Sequence, residues 1–458
     1  MYLLSLFTQI IMTKPEYVGD IELTPDGAIQ TSQPRYGTGN SETGKSEIDP
    51  SELESRLHGH NLLFSSEKDK LSVVAIRSGT KFKSEDVWQN YPNIHGIVRA
   101  GNGTDNIDQK QADARRVLVM NTPEGSCNNV AEIAISQADT FLKKGTESTV
   151  AFMNGKWLRG SKEENDRIKP KEWREVRVGV IGAGAIGRAF LQKAIDNGST
   201  DVVFSDIADI GEIRFTTSGN EHAIATQVDL DELITTCDVI SIHTGGKVQL
   251  LGRDEIQKIK NGAILINTSR PDNINFSDAI DRVNNGTLQL GVDVVPFEKE
   301  NDKFNKLVIQ NMQRAAATGR LLVTHHQGAE SDISKKLVLD DTALRIHQLL
   351  ELGVPARLPV NLRNPSNAGI GPRSDPGIRL AATYGDEEGA HHAITGALKD
   401  QRISFGGCVV FGDGNNGGNI ATTIIDLPTK VTPEQAIAVQ KEIRGLQGNF
   451  RVRLLRYA

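Results

Sequence analysis

The stretch Val176-Arg-Val-Gly-Val-Ile-Gly-Ala-Gly-Ala-Ile-Gly187 decides the fold. Its first half, through Ile181, is a short apolar run of the kind that forms a buried strand. Its second half carries Gly182, Gly184 and Gly187 in the pattern Gly-x-Gly-x-x-Gly, and a helical pattern continues through Ile195. In that order the three glycines have separate jobs: a tight turn, close backbone approach to a pyrophosphate, and close helix–strand packing. Ala185 and Ile186 open the helix whose free N–H groups and positive dipole end face the phosphates. The following strand, Val202-Val-Phe-Ser, ends at Asp206 about 20 residues beyond the last glycine, where a carboxylate accepts hydrogen bonds from the adenosine ribose. A carboxylate there repels a 2′-phosphate, so the expected cofactor is NAD rather than NADP.

On both sides of this motif, short apolar runs alternate with helical stretches. Runs at 73–76, 96–100 and 117–120 precede it, and runs at 239–243, 263–267, 290–294 and 321–324 follow it. Strands separated by helices imply parallel βαβ units with their loops gathered at the carboxyl edge, so the fold class is α/β with a doubly wound parallel sheet. A long helix is expected over 128–144, with Val130, Ile133, Ala134, Ala138 and Phe141 at helical spacing. Residues 1–50 read as a flexible arm, with Met12 as the working initiator behind an apolar opening. The chain then divides into 51–120, 121–326 as the nucleotide domain, 327–355 returning to the first domain, a Pro-rich linker over 356–376, and a smaller α+β unit over 377–458.

Composition narrows the function. The 458 residues are 38% hydrophobic with a net charge of −6, and no apolar run reaches the ~18 residues of a membrane span. The charge has the wrong sign for a nucleic-acid binder that works through bulk electrostatics. Cys127, Cys237 and Cys408 are odd in number and far apart, which excludes a disulfide framework and a Cys-based metal site. A cytoplasmic, soluble protein with no metal is expected.

Three residues stand just past predicted strands of the nucleotide domain: Arg270, Glu298 and His326. Loops at the carboxyl edge of an open parallel sheet meet at the ligand crevice. An Arg holds a carboxylate bidentately, a His takes a hydroxyl proton, and a carboxylate orients the imidazole. Together they supply the parts for oxidising a hydroxy acid. Asp293, also at a strand end, is placed to reach the nicotinamide carboxamide.

Segments 98–108, 121–123 and 130–132, Trp157, the Gly182 fingerprint, Ile266-Asn-Thr-Ser-Arg270, Asp293-Val-Val-Pro-Phe-Glu298 and Thr324-His-His326 resemble the D-2-hydroxyacid dehydrogenases, most nearly their phosphoglycerate-oxidising branch. The resemblance implies a Rossmann-type NAD domain with Thr268 among its cofactor contacts and a flavodoxin-like substrate domain. It also implies Arg270 as carboxylate anchor, with His326 as acid/base and Glu298 as its partner. Backbone amides at Asn102 and Gly103 would hold the substrate carboxylate, and Arg77 with Ser78 the phosphate of a phosphorylated 2-hydroxy acid. A homodimer or homotetramer is implied too. The tail resembles an ACT regulatory domain, which implies an amino-acid effector.

Several positions depart from the family pattern. Pro271 stands beside the catalytic Arg where Gly is usual, which fixes φ and removes an N–H. His325 replaces a usual Pro, and Lys299 opens an alternative register with Glu300 in place of Glu298. Tyr384, Asp386 and Ser404 stand where the effector's polar set is expected, while Gly389 suits a turn into a helix. A glycerate or hydroxypyruvate enzyme, and an NADH-responsive binding protein of the corepressor type, are the alternative readings.

Overall fold

The computed structural model describes residues 17–23, 29–39, 48–58, 60, 62–217, 219, 222–246, 248–296, 306–353, 375–385, 389–405, 408–411, 420–446 and 450–457. It divides into two compact units, Met1–Thr122 with Val338–Ala458, and Pro123–Leu337. Residues 356–374 of the expected linker and Glu298, Glu300 and Asp386 fall outside the described residues.

The first stretch forms strands where a flexible arm was expected. Strands β1 (Tyr17–Leu23) and β2 (Ile29–Ser32) are an antiparallel pair, and β3 (Arg35–Thr38) is an interior parallel strand. Strands β4 (Leu63–Phe64), β5 (Val73–Ile76), β6 (Gly96–Arg99) and β7 (Leu118–Asn121) complete a five-stranded parallel sheet in the order β4-β3-β5-β6-β7. That is the flavodoxin-like order. The composition of residues 14–50 concealed β3 because its four residues, Arg-Tyr-Gly-Thr, hold one large apolar side chain; tertiary burial of Tyr36 and Gly37 supplies what local propensity lacks. Asp49 caps the Pro50–Leu57 helix by accepting from the Ser51 N–H, with Pro50 at the first helical position.

The second unit is built on an eight-stranded sheet. Its strands are β8 (Arg177–Ile181), β9 (Asp201–Ser205), β10 (Glu212–Thr216), β11 (His222–Gln227), β12 (Val239–Ile242), β13 (Ala263–Asn267), β14 (Leu288–Val292) and β15 (Leu321–Val323). The order β10-β11-β9-β8-β12-β13-β14-β15 is the doubly wound Rossmann arrangement with β10 added as an antiparallel edge. Every residue of β12, β13 and β14 is buried, as expected of parallel strands covered on both faces. This is why they stand out in the sequence as unbroken apolar runs. The β10–β11 hairpin went unread because it alternates buried and exposed positions and packs on one face only. The Glu124–Leu142 and Ala185–Asp196 helices share the core on one face; the Leu230–Thr236, Arg253–Lys258 and Phe276–Asn284 helices share the other.

The tail forms β16 (Gly377–Gly385), the Ala390–Asp400 helix, β17 (Cys408–Phe411), β18 (Ile420–Asp426), the Pro433–Gly445 helix and β19 (Arg451–Tyr457). This βαββαβ unit has the antiparallel order β17-β18-β16-β19, and the sheet continues through β1 and β2. The join is electrostatic as well as hydrogen-bonded. Buried Arg453 donates to both carboxylate oxygens of Asp20 at 2.8 and 2.9 Å. Removing one partner of such a pair costs about 3–5 kcal/mol because the other charge stays buried.

Candidate active site

The cofactor turn forms as the glycine spacing demands. Gly182 adopts φ +93°, and a Cβ there would lie 2.9 Å from the His243 carbonyl oxygen. A Cβ on Gly187 would lie 2.0 Å from the Gly182 carbonyl oxygen, so only glycine lets the helix seat on the turn. Nothing lies within 4 Å of a Cβ built on Gly184, which leaves its backbone open to an approaching group. Ala185 and Ile186 follow at the first turn of the helix, half-buried. The Asp206 carboxylate accepts from the Ala183 N–H at 2.7 Å and the Ala208 N–H at 2.9 Å, fixing it over the turn. Open backbone at Gly184, a free helix N-terminus and a fixed carboxylate fit a dinucleotide.

The carboxyl edges of β9, β8, β12, β13, β14 and β15 present Asp206, Gly182, His243, Arg270, Asp293 and His326 in spatial sequence. Neighbouring strands lie ~4.8 Å apart, so Arg270 and His326, two strands apart, start from backbones roughly 10 Å apart. Arg270 is half-buried, and its Nη1 donates to the Ser269 carbonyl at 2.8 Å. Pro271 disturbs nothing here. It opens the Pro271–Asn273 3₁₀ turn, where a first-position N–H has no intrahelical partner, and Asn273 Oδ1 accepts from the Arg270 N–H at 3.1 Å. The Asn267 side chain closes the turn by donating to the Arg270 carbonyl at 2.8 Å.

His326 has its ring in an exposed position and its backbone in the left-handed region at φ +51°. Asp293 holds it there. The His326 N–H donates to the Asp293 carbonyl at 2.8 Å; the Asp293 carboxylate accepts from the Thr324 hydroxyl, from the Gln327 N–H at 3.0 Å and from the Gly328 N–H at 3.1 Å. A left-handed non-glycine costs of order 1–3 kcal/mol and persists where its surroundings over-determine it. Asp293 was expected to face the nicotinamide carboxamide. It is buried and accepts from these three donors, which also makes it a positioning residue for the His326 loop.

Three further residues complete the edge, and the motifs did not point to them. Gln137 is a buried polar residue on the Glu124–Leu142 helix that donates to Thr324 Oγ1 at 3.2 Å, and Asn129 donates to the Gly328 carbonyl at 2.9 Å. Their only signal in the sequence is a polar residue among the core-facing positions of that helix. His243 is buried, with Ser241 Oγ 2.8 Å from Nε2 and Thr268 Oγ1 3.5 Å from Nδ1. Burial pushes its imidazole down to about 3, so it is neutral at the back of the cofactor turn.

The first unit carries its own candidate residues at the carboxyl edge of its sheet. Arg77 and Ser78 follow β5, and Asn102 and Gly103 follow β6. Asn106 ties the two loops together by donating to the Arg77 and Thr80 carbonyls at 2.9 and 2.7 Å. Among the described residues the half-buried Arg77 guanidinium has no ion-pair partner, and the N–H groups of Asn102 and Gly103 have no acceptor. In the tail, Gly389 makes the expected turn at φ +88° and Ser404 is exposed, but Tyr384 is buried with its hydroxyl 2.7 Å from Thr423 Oγ1.

Fold and turn together define an NAD-binding Rossmann protein. Residues 136–328 match the NAD-binding domain of the D-isomer specific 2-hydroxyacid dehydrogenases. A hydroxypyruvate reductase of Thermotoga maritima is 28% identical over 299 residues, covering 63% of this chain and 89% of the reductase. A D-3-phosphoglycerate dehydrogenase of Methanocaldococcus jannaschii is 27% identical over 320 residues, covering 69% of this chain and 56% of that enzyme. The chain thus spans little more than half of the latter's length. The structure of D-lactate dehydrogenase from Aquifex aeolicus, complexed with NAD and lactic acid, superposes with a TM-score of 0.54 at 20% identity, covering 69% of this chain and 95% of that one. Among the described residues no helix is long and apolar enough to cross a membrane.

Proposed function

We propose that this NAD-dependent dehydrogenase oxidises D-3-phosphoglycerate to 3-phosphohydroxypyruvate, feeding L-serine synthesis. The observation that carries the choice of substrate is Arg77, a half-buried cation without an ion-pair partner among the described residues, in a loop clamped by Asn106. A phosphate dianion is the partner such a cation fits, with Ser78 beside it as a hydroxyl donor. Bound NAD supplies the acceptor for the hydride leaving C2. Arg270 binds the substrate carboxylate and His326 accepts the C2 hydroxyl proton with Glu298 supporting the imidazolium; by the resemblance, the Asn102 and Gly103 amides are further donors to a carboxylate. Acid–base help of this kind contributes about 10²–10⁴ in rate.

The βαββαβ tail is read as an ACT-like domain for an amino-acid effector, on its strand order. Assembly as a homo-oligomer fits the exposed apolar side chains of Phe152, Met153 and Trp157. Similarity along 89% of a hydroxypyruvate reductase supports a second reading, an enzyme for unphosphorylated glycerate or hydroxypyruvate.

The test follows nicotinamide absorbance with NAD and either D-3-phosphoglycerate or D-glycerate, with and without L-serine, for the wild type, His326→Ala and Arg77→Ala. Turnover of the phosphorylated substrate that vanishes in His326→Ala is expected, with KM raised at least ~10-fold in Arg77→Ala, the loss of one charge-assisted contact. Preference for D-glycerate, with no effect of Arg77→Ala, supports the second reading. NAD binding without turnover of any 2-hydroxy acid makes a binding role the better description.

A further inference from the structure

Away from these loops, the first unit brings together His60, His347 and Glu351. His347 ends the Asp332–His347 helix, and Glu351 follows on the π-helical segment Gln348–Leu352. His60 lies between the Pro50–Leu57 helix and β4. The His60 Nδ1 is 3.1 Å from Glu351 Oε1, and the His347 Nδ1 is 3.0 Å from Glu351 Oε2. One potential ligand atom from each residue lies within 4.8 Å of the others. The His347 Nδ1 is buried and makes no hydrogen bond among the described residues: it is close to the carboxylate but off the line a hydrogen bond needs.

His60 Nδ1 meets Glu351 Oε1 in hydrogen-bonding geometry, whereas His347 Nδ1 aims past the carboxylate, as a ligand of a common ion does. Two donor atoms ~2.1 Å from a metal are about 3.0 Å from one another at ~90° and about 3.4 Å at a tetrahedral angle. The two nitrogen–oxygen separations here lie at the short end of that range. Two imidazoles and a carboxylate suit borderline divalent transition metals, and three protein ligands leave positions open to water.

The segment bearing two of the three ligands is held in place from the C-terminal sheet. Arg453 donates to the Leu349 and Leu350 carbonyls at 2.7 and 2.8 Å, Arg379 to the Leu352 carbonyl at 3.2 Å, and the Tyr457 hydroxyl to the Glu351 carbonyl. π-Helical turns release carbonyls from the regular ladder and recur at functional sites. Here the released carbonyls are captured, so the ligand pair is ordered before any ion arrives.

We propose that His60, His347 and Glu351 form a binding site for a divalent transition-metal ion of the zinc type, completed by water. His60 precedes β4, so the cluster lies at the amino edge of the parallel sheet, the opposite edge from the Arg77 and Asn102 loops. The ion is therefore structural: it clips the loop at residue 60 to the helical segment on which the C-terminal sheet is anchored.

The experiment uses full-length protein stripped with a chelator, titrated with Zn²⁺ by calorimetry and thermal melting, and with Co²⁺ by visible absorption. One equivalent of Zn²⁺ is expected to bind and raise the Tm. Cobalt should show a ligand-field spectrum of nitrogen and oxygen donors without a thiolate charge-transfer band. Both signals should weaken at least ~10-fold in His60→Gln and in Glu351→Gln, while NAD affinity stays as in the wild type; removing a ligand or even its supporting contact typically weakens metal affinity by 10–100-fold. Should a variant fail to fold, the stoichiometry and cobalt spectrum of the wild type still decide. No stoichiometric binding, a thiolate band, or binding indifferent to both substitutions overturns the proposal and leaves a carboxylate bonded by imidazole.

Discussion

Alanine at Gly184 and at Gly187, one at a time, separates two jobs that the fingerprint combines. At Gly187 the new Cβ meets the Gly182 carbonyl oxygen at 2.0 Å and Val180 Cγ1 at 3.0 Å. The first contact is with backbone, so no side chain can swing aside and the helix must lift off the turn. Overpacking of this severity costs ~3 kcal/mol, the upper end of the usual range. For a unit of this size each kcal/mol lowers the Tm by about 2–4 °C, which gives a drop of roughly 6–12 °C. At Gly184 the backbone is extended, at φ −71° and ψ −165°, and the Cβ points into open space, so the protein without NAD should melt within ~2 °C of the wild type. The methyl group would instead hold a pyrophosphate away from the turn. Losing one charge-assisted hydrogen bond, ~2 kcal/mol, raises the Kd for NAD about 30-fold. Melting curves without ligand and calorimetric titration with NAD read both quantities. Wild-type NAD affinity in Gly184→Ala would show that the pyrophosphate does not rest on this turn. A wild-type Tm in Gly187→Ala would refute the packing argument.

Three other outcomes follow from the contacts. Asp293→Ala frees the His326 loop and should lower kcat at least ~10-fold with less than a threefold change in NAD affinity; the reverse split, in steady-state kinetics and calorimetry, would restore a direct cofactor contact. His243 has its folded-state value depressed to about 3 from an ordinary 6.5, so its contribution to stability is whole above pH ~6.5 and is lost as pH falls toward 3. Urea unfolding should accordingly lose about 2 kcal/mol of stability between pH 7 and pH 5, and His243→Gln should lose that much less over the same interval. Asp20→Ala strands the buried Arg453 guanidinium and should cost about 3–5 kcal/mol in chemical denaturation; a loss under 1 kcal/mol would mean that β1 does not anchor the C-terminal sheet.

The nucleotide domain was legible along the chain because its determinants are local. Each buried parallel strand is an unbroken apolar run, and the three glycines are required by clashes within a few residues of one another. Arg270 and His326 could be located for the same reason, since a residue just past a parallel strand can only lie on the carboxyl edge. Tertiary structure decided what depends on distant partners. Strand β3 and the β1–β2 pair are polar stretches that become strands only through neighbours far along the chain, β5 for one and β19 for the other. Pro271 looked like damage because the 3₁₀ turn that accepts it cannot be read from spacing. The part Asp293 plays in holding the His326 loop was hidden because its three donors come from the loop more than thirty residues later. The His60–His347–Glu351 cluster is invisible in one dimension, since folding alone brings His60 to a helix end 291 residues from it. Local sterics write themselves into neighbouring residues, whereas burial and charge pairing are properties of the assembled chain.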